Sequence, residues 1–120
     1  MDKIIEDILD EKEKILATTN WRESKLSYSP RDHRVYSIIV YATNKRLLYV
    51  MHEVDRIVYE LPYYKVTSIK LVEEGFLFFK KRYYQIDGDL KNWERKVWRI
   101  PANAENVGEF VETVKKVIGV

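Results

Sequence analysis

Hydrophobic and polar positions alternate with a period of two through most of this chain and change to a helical period only at its two ends. Ile15, Ala17, Thr19 and Trp21 share one side of an extended segment, which predicts a first strand from Ile15 to Leu26 with Trp21 turned inward. Val35 to Thr43 is apolar on both faces, as expected of a strand covered on each side by a helix or another sheet. Further strands are predicted over Leu47–Glu53, Ile57–Leu61, Lys65–Val72, Phe76–Ile86 and Trp93–Ile100.

Polar or Pro- and Gly-containing stretches separate them. Ser27 to Arg34 is a loop, and Thr43-Asn44-Lys45-Arg46 is a turn in which Asn44 takes a positive φ or closes an Asx turn. Pro62 and Pro101 end strands because neither can donate to a ladder. Gly75, after Glu73 and Glu74, suits the left-handed position of a hairpin.

The ends are helical. Residues 2–14 carry Ile4, Ile5, Ile8 and Leu9 as one apolar stripe behind a cap at Asp2, with Glu6, Asp7, Asp10, Glu11 and Glu13 opposite. Near the C-terminus, Val107, Phe110, Val111, Val114, Val117 and Ile118 form a second stripe, capped by Asn103 and stopped by Gly119. The prediction is a mainly β domain over residues 15–120 closed by a C-terminal helix, preceded by an N-terminal helix over 1–14.

This order resembles the pleckstrin-homology (PH) superfold, a partly open barrel of seven antiparallel strands with a helix plugging one end. The resemblance extends to short motifs. Ala42-Thr43-Asn44-Lys45-Arg46-Leu47-Leu48-Tyr49-Val50 is similar to a T-N/D-x-R-L hairpin of prokaryotic PH-like and GRAM-like domains. Glu60-Leu61-Pro62-Tyr63-Tyr64-Lys65-Val66-Thr67-Ser68-Ile69 is similar to their I-P-Y-x-x-I-x-x-V passage, and Glu74-Gly75-Phe76 to their next turn. Each is a turn or packing motif, so the resemblance implies a fold and leaves the function open.

With 120 residues, one domain and one core are expected. The chain has no Cys, which excludes disulfides and thiolate metal sites. Its 21 basic and 19 acidic side chains nearly balance, so net charge requires no polyanionic partner. The acidic start lacks the features of a secretory signal, and a cytoplasmic location is expected.

Four groups carry candidate chemistry. In phosphoinositide-binding PH domains, Lys and Arg of the first hairpin hold phosphates; the resemblance puts Lys25, Arg31 and Arg34 in that role, with Lys45 from the next hairpin, although Asp32 among them opposes an anion. Lys80-Lys81-Arg82-Tyr83-Tyr84 invites a nucleic-acid reading, against which stands an edge strand whose Lys residues deter aggregation. His33 and His52 have no carboxylate at ligand spacing, and Asp87-Gly88-Asp89 lacks the closing Glu of a calcium loop, so neither a metal nor a cofactor is implied. Nine Tyr, four Phe and three Trp exceed what a small core needs, and one member of each pair Tyr63-Tyr64 and Tyr83-Tyr84 should face outward.

The reading that results is a non-catalytic PH-like interaction or scaffold domain that binds a protein partner or itself, as a homodimer, through Ile4, Ile5, Ile8 and these four tyrosines. Anionic phospholipid binding through the basic loop ranks second, and single-stranded nucleic acid last.

Overall fold

The computed structural model describes residues 3–26, 33–52, 56–89 and 97–119. Arg31, the centre of the expected first loop, the 53–55 connection and the start of the expected seventh strand lie outside them.

Seven antiparallel strands form two sheets. The first has the order β1-β2-β3-β4, with β1 Ile15–Leu26, β2 His33–Thr43, β3 Arg46–His52 and β4 Arg56–Pro62. A single 3-10 turn, Tyr63–Lys65, leads into the second, ordered β5-β6-β7, with β5 Val66–Phe76, β6 Phe79–Gly88 and β7 Val97–Pro101. Helix α1 spans Lys3–Ile8 and helix α2 spans Val107–Ile118.

The period-two pattern determines which faces meet. Ile38, Val40, Ala42, Leu47, Tyr49 and Leu61 from the first sheet enclose one core with Ile86, Trp98 and Ile100 from the second. Helix α2 closes it with Phe110, Val111 and Val114, packing on β1, β2 and the 3-10 turn. Trp21 meets the ring of Tyr49 edge-on at 6.0 Å between centroids, so it faces the core as predicted.

Strand β2 is apolar on both sides because both sides are covered. Its outer face, with that of β3, forms a second cluster in which Tyr41, Leu48 and Val50 pack against Ile5 of α1. The N-terminal helix therefore completes the fold, and Ile5, expected at a self-association surface, is 1% exposed. Ile8 packs partly buried against the same cluster, while of Ile4 only its place in α1 is described.

Three boundaries differ from expectation for physical reasons. Helix α1 ends at Ile8, not at residue 14: Lys12 has φ 70°, and Glu13, expected on the exposed acidic face, turns inward to accept from the Asp10 N–H at 3.0 Å. The turn after β5 falls at Leu77-Phe78, with Leu77 at φ 56° and Phe76 paired to Phe79. The ladder runs straight through Glu73-Glu74-Gly75. Asn103 does not cap α2, because it lies in a turn closed by the Ala104 N–H on the Pro101 carbonyl at 3.0 Å, after which Glu105 bridges to β1, its N–H donating to the Asn20 carbonyl at 3.1 Å. Asn106, at φ 58°, then turns the chain into the helix, and Gly119 at φ 79° ends that helix as expected.

The β2–β3 turn also closes differently. Thr43 Oγ1 accepts from the N–H groups of Lys45 and Arg46 at 3.1 and 3.0 Å, while Asn44 reaches sideways: its Oδ1 accepts from Lys14 N–H at 2.8 Å. Thr43 rather than Asn44 closes the turn.

Candidate docking surface

Strands β5 and β6 outrun β7, their neighbour in the sheet, and this positions the site. Strand β7 ends with Pro101 opposite Tyr83, and the Ala102 N–H makes one further bond to the Arg82 carbonyl. Beyond that point, among the described residues, Glu74–Lys81, Gly75–Lys80 and Phe76–Phe79 pair only with each other. At roughly 3.3 Å per residue these pairs extend about 10 Å past their neighbours as a two-stranded ribbon.

The tip of the ribbon is apolar and uncovered. Phe76, Leu77 and Phe78 are 77%, 67% and 94% exposed. Exposed apolar residues are ordinary when scattered, but three large consecutive side chains at a projecting tip are a contiguous patch of the kind that marks an interaction site.

Charged groups stand behind the tip. Alternation puts Lys80 and Arg82 on one face of the ribbon and Lys81 on the other. Glu73 draws Lys80 to 3.3 Å and Arg82 to 3.9 Å. On the opposite face Tyr83 lies beneath Arg99, whose guanidinium carbon is 5.2 Å from the ring centroid, and its hydroxyl donates to Glu74 at 2.6 Å. That hydrogen bond, then burial, raises the Tyr83 pKa against the opposing charge of Arg99. Here the ribbon base, Glu23 of β1 and the turn at Ala102-Asn103 line a groove of about 760 Å³.

The sequence-predicted candidates are scattered. Lys25 and Arg34 are paired across the β1–β2 ladder, and their side chains lie outside the described residues. Lys45 is at the other end of β2, on the order of 30 Å along the strand. It lies 3.9 Å from Asp10 and cannot share a phosphate with Arg34.

Of the tyrosines, Tyr64 is 84% exposed and Tyr63 partly buried, the expected division. Tyr84 packs partly buried on the core and Tyr83 is buried on the outer face, where one of the two was expected to be exposed. Strand β6 is also the middle strand of its sheet, not an edge. Its Lys residues fall on the overhang, where β7 no longer covers it.

Sequence reasoning missed Phe76, Leu77 and Phe78 as a site. The signal was Phe76-Leu77-Phe78-Phe79, an unbroken apolar run straddling a turn, where alternation predicts polar residues. The surface offers apolar area and paired charges, a chemistry of binding. Among the described residues no three His, Asp or Glu side chains converge to hold a metal ion, and no helix is long and apolar enough to cross a membrane.

The chain superposes over 98% of its length on a pleckstrin homology domain from Shewanella amazonensis SB2B, with TM-score 0.62, 15% identity and 95% of that chain covered. The fold is that of a pleckstrin-homology domain. A DUF1696 family protein with a pleckstrin-homology domain from Shewanella loihica PV-4 superposes with TM-score 0.59 and 13% identity, covering 97% of this chain and 91% of that one. No protein-family model matches the chain, and no curated protein matches it.

Proposed function

We propose that this PH-like chain is a non-catalytic interaction domain that docks on other surfaces through the β5–β6 hairpin. The observation that carries this reading is the projecting tip, where Phe76, Leu77 and Phe78 contribute nothing to either core cluster. Keeping three such side chains in water forgoes roughly 1.5–3 kcal/mol of transfer free energy each, which contact with an apolar partner surface recovers. The rest of the chain serves to hold the tip out: two sheets and α2 close the main core, and α1 covers the remaining apolar face.

Site-specific photocross-linking tests it. A benzophenone side chain replacing the Phe78 ring in whole cells should give adducts to protein or lipid. The same group at Glu112, exposed on α2, should give few. Adducts at Glu112 and none at position 78 would remove the hairpin from consideration.

A further inference from the structure

Exposed rings and a row of cations follow one another along the ribbon, and together they specify a class of partner. We propose that the β5–β6 hairpin binds single-stranded nucleic acid, with unpaired bases stacking on Phe76 and Phe78 and phosphates meeting Lys80, Lys81, Arg82 and Arg99. This rests on the hairpin being the docking element and names what docks there.

The cations are gathered as a binding site gathers them. Deterring aggregation requires charge along a strand edge but no common groove. Here cations from two strands, Lys80, Lys81 and Arg82 of β6 and Arg99 of β7, line one groove of about 760 Å³. The near-balance of charge over the whole chain does not bear on such a local cluster. Arg99 is exposed, and its guanidinium stands over the Tyr83 ring, a contact that restricts the side chain before any phosphate arrives.

The rings available for stacking are not the tyrosines of β6. Tyr83 lies beneath Arg99 and Tyr84 packs against the core, whereas Phe76 and Phe78 are 77% and 94% exposed. From Phe79, beside the tip, to Gln85, opposite Arg99, the ribbon and its base run about 20 Å. Rings at one end and cations along the rest match a chain that offers a π face and a phosphate at every step. An apolar protein surface matches only the tip.

The tip also selects single strands. Phe76, Leu77 and Phe78 have no side-chain donor or acceptor with which to read a base edge, so their contribution is stacking, which a duplex denies them. Binding should accordingly tolerate any sequence.

The neighbouring carboxylates do not close the site. Glu74 accepts from the Tyr83 hydroxyl and Glu23 from Trp21 Nε1 at 2.9 Å. Glu73 holds Lys80 and Arg82 through well-exposed surface pairs, which a phosphate replaces at little loss.

Fluorescence anisotropy of the full chain with labelled oligothymidylate and oligouridylate of about 20 nucleotides decides the matter. At least one should bind, and more tightly than duplex DNA of the same length. Phe78→Ala should weaken binding about 5- to 150-fold without changing its salt dependence. Lys81→Ala should lower the slope of log K against log salt by about 0.7, the share of one phosphate contact. Leu16→Ser, at an exposed apolar site on β1, should alter neither. Phe78→Trp should keep binding, and the fluorescence it adds should be quenched by the stacked bases. Because position 78 is exposed and outside both core clusters, unchanged circular dichroism shows that its variants fold.

No binding of either oligonucleotide, equal affinity for the duplex, or binding unaffected by Phe78→Ala would overturn the proposal. Cross-linking at position 78 then has a further expected product, an adduct that nuclease treatment removes. Nuclease-resistant adducts there, with no oligonucleotide bound, discard nucleic acid and keep the hairpin. No adduct at position 78 discards both.

Discussion

Arg46 holds Glu13 with two hydrogen bonds, Nε to Oε2 at 3.0 Å and Nη2 to Oε1 at 2.9 Å, across 33 residues of sequence. The Glu13 side chain is 0% exposed, so both charges depend on this fork. The same guanidinium donates to the Ile8 carbonyl at 2.9 Å and lies 3.2 Å from Glu60. One side chain thereby joins the end of α1, the β2–β3 turn and β4.

Removing it leaves a buried carboxylate without its partner. Arg46→Ala should therefore cost about 3 kcal/mol in urea unfolding, and Arg46→Lys should recover only part, because an ammonium cannot form the fork. Amide exchange of residues 5–9 should accelerate more than that of α2, since α1 is held through Ile8 and Glu13. A loss below about 1 kcal/mol, a surface pair's value, would contradict this account.

Acid should release the same clasp. Burial alone raises the Glu13 pKa, but hydrogen bonds from Arg46, Thr43 and the Asp10 N–H, with the Arg46 charge, outweigh it and bring the value from 4.5 to about 2. A group whose folded pKa is depressed stabilises above its unfolded pKa. That contribution, about 3 kcal/mol, is present above pH 4.5 and is lost as pH falls toward 2. Urea midpoints measured across this window should fall steeply for the wild type and less steeply for Glu13→Gln; parallel curves would assign the acid sensitivity elsewhere.

Tyr63 should report the opposite limb. Its hydroxyl donates to the Thr43 carbonyl at 2.5 Å, and burial, then the Glu13 charge, raise its pKa from 10.0 to about 12. A raised pKa stabilises the fold below about 10, and that contribution is lost as pH rises toward 12. Alkaline absorbance titration should show one tyrosine ionising about two units late, and Tyr63→Phe should delete that step.

What the sequence made legible divides along local and distant interactions. Periods of 2 and 3.6 over Ile15–Trp21 and Val107–Ile118 reveal strand and helix because each residue's face depends only on its neighbours. The Thr43–Arg46 turn is legible too, but the task of Arg46 is not, since Glu13 is far upstream and looks like one more acid on a solvated helix face. Gly75 drew the expected turn two residues early: it does have φ 134°, yet pairing of Phe76 with Phe79 sets the register and puts the strain on Leu77. Asn103 was a reasonable cap until Glu105 bridged to Asn20, a contact without local trace. The exposed tip was visible as a run of apolar residues; that it projects is a matter of where β7 stops.

The tip residues should prove irrelevant to stability. Phe76→Ser and Phe78→Ser touch neither core cluster and should change the unfolding free energy by less than about 0.5 kcal/mol. Leu77→Gly should be neutral or stabilising by up to about 1 kcal/mol, because φ 56° strains a side chain and suits glycine, and Leu77→Val should destabilise. A large loss from the serine variants would mean that the tip packs on the domain, and would weaken its assignment as a docking element.

The junction of the two sheets should be the least tolerant point in the backbone. Gly88, at the end of β6, pairs with Val66 where β5 leaves the 3-10 turn, and a Cβ placed on it would lie 2.6 Å from Cδ1 of Leu61. Leu61 is fully buried at the end of β4, so it cannot swing into solvent to make room. Gly88→Ala should therefore cost about 1–3 kcal/mol through overpacking. Leu61→Ala alone should cost about 2–5 kcal/mol through the cavity it opens. The double variant should be more stable than the sum of the two losses implies, since each change supplies the space or the volume that the other lacks. Strict additivity in the cycle would show that the two sheets do not meet through this pair.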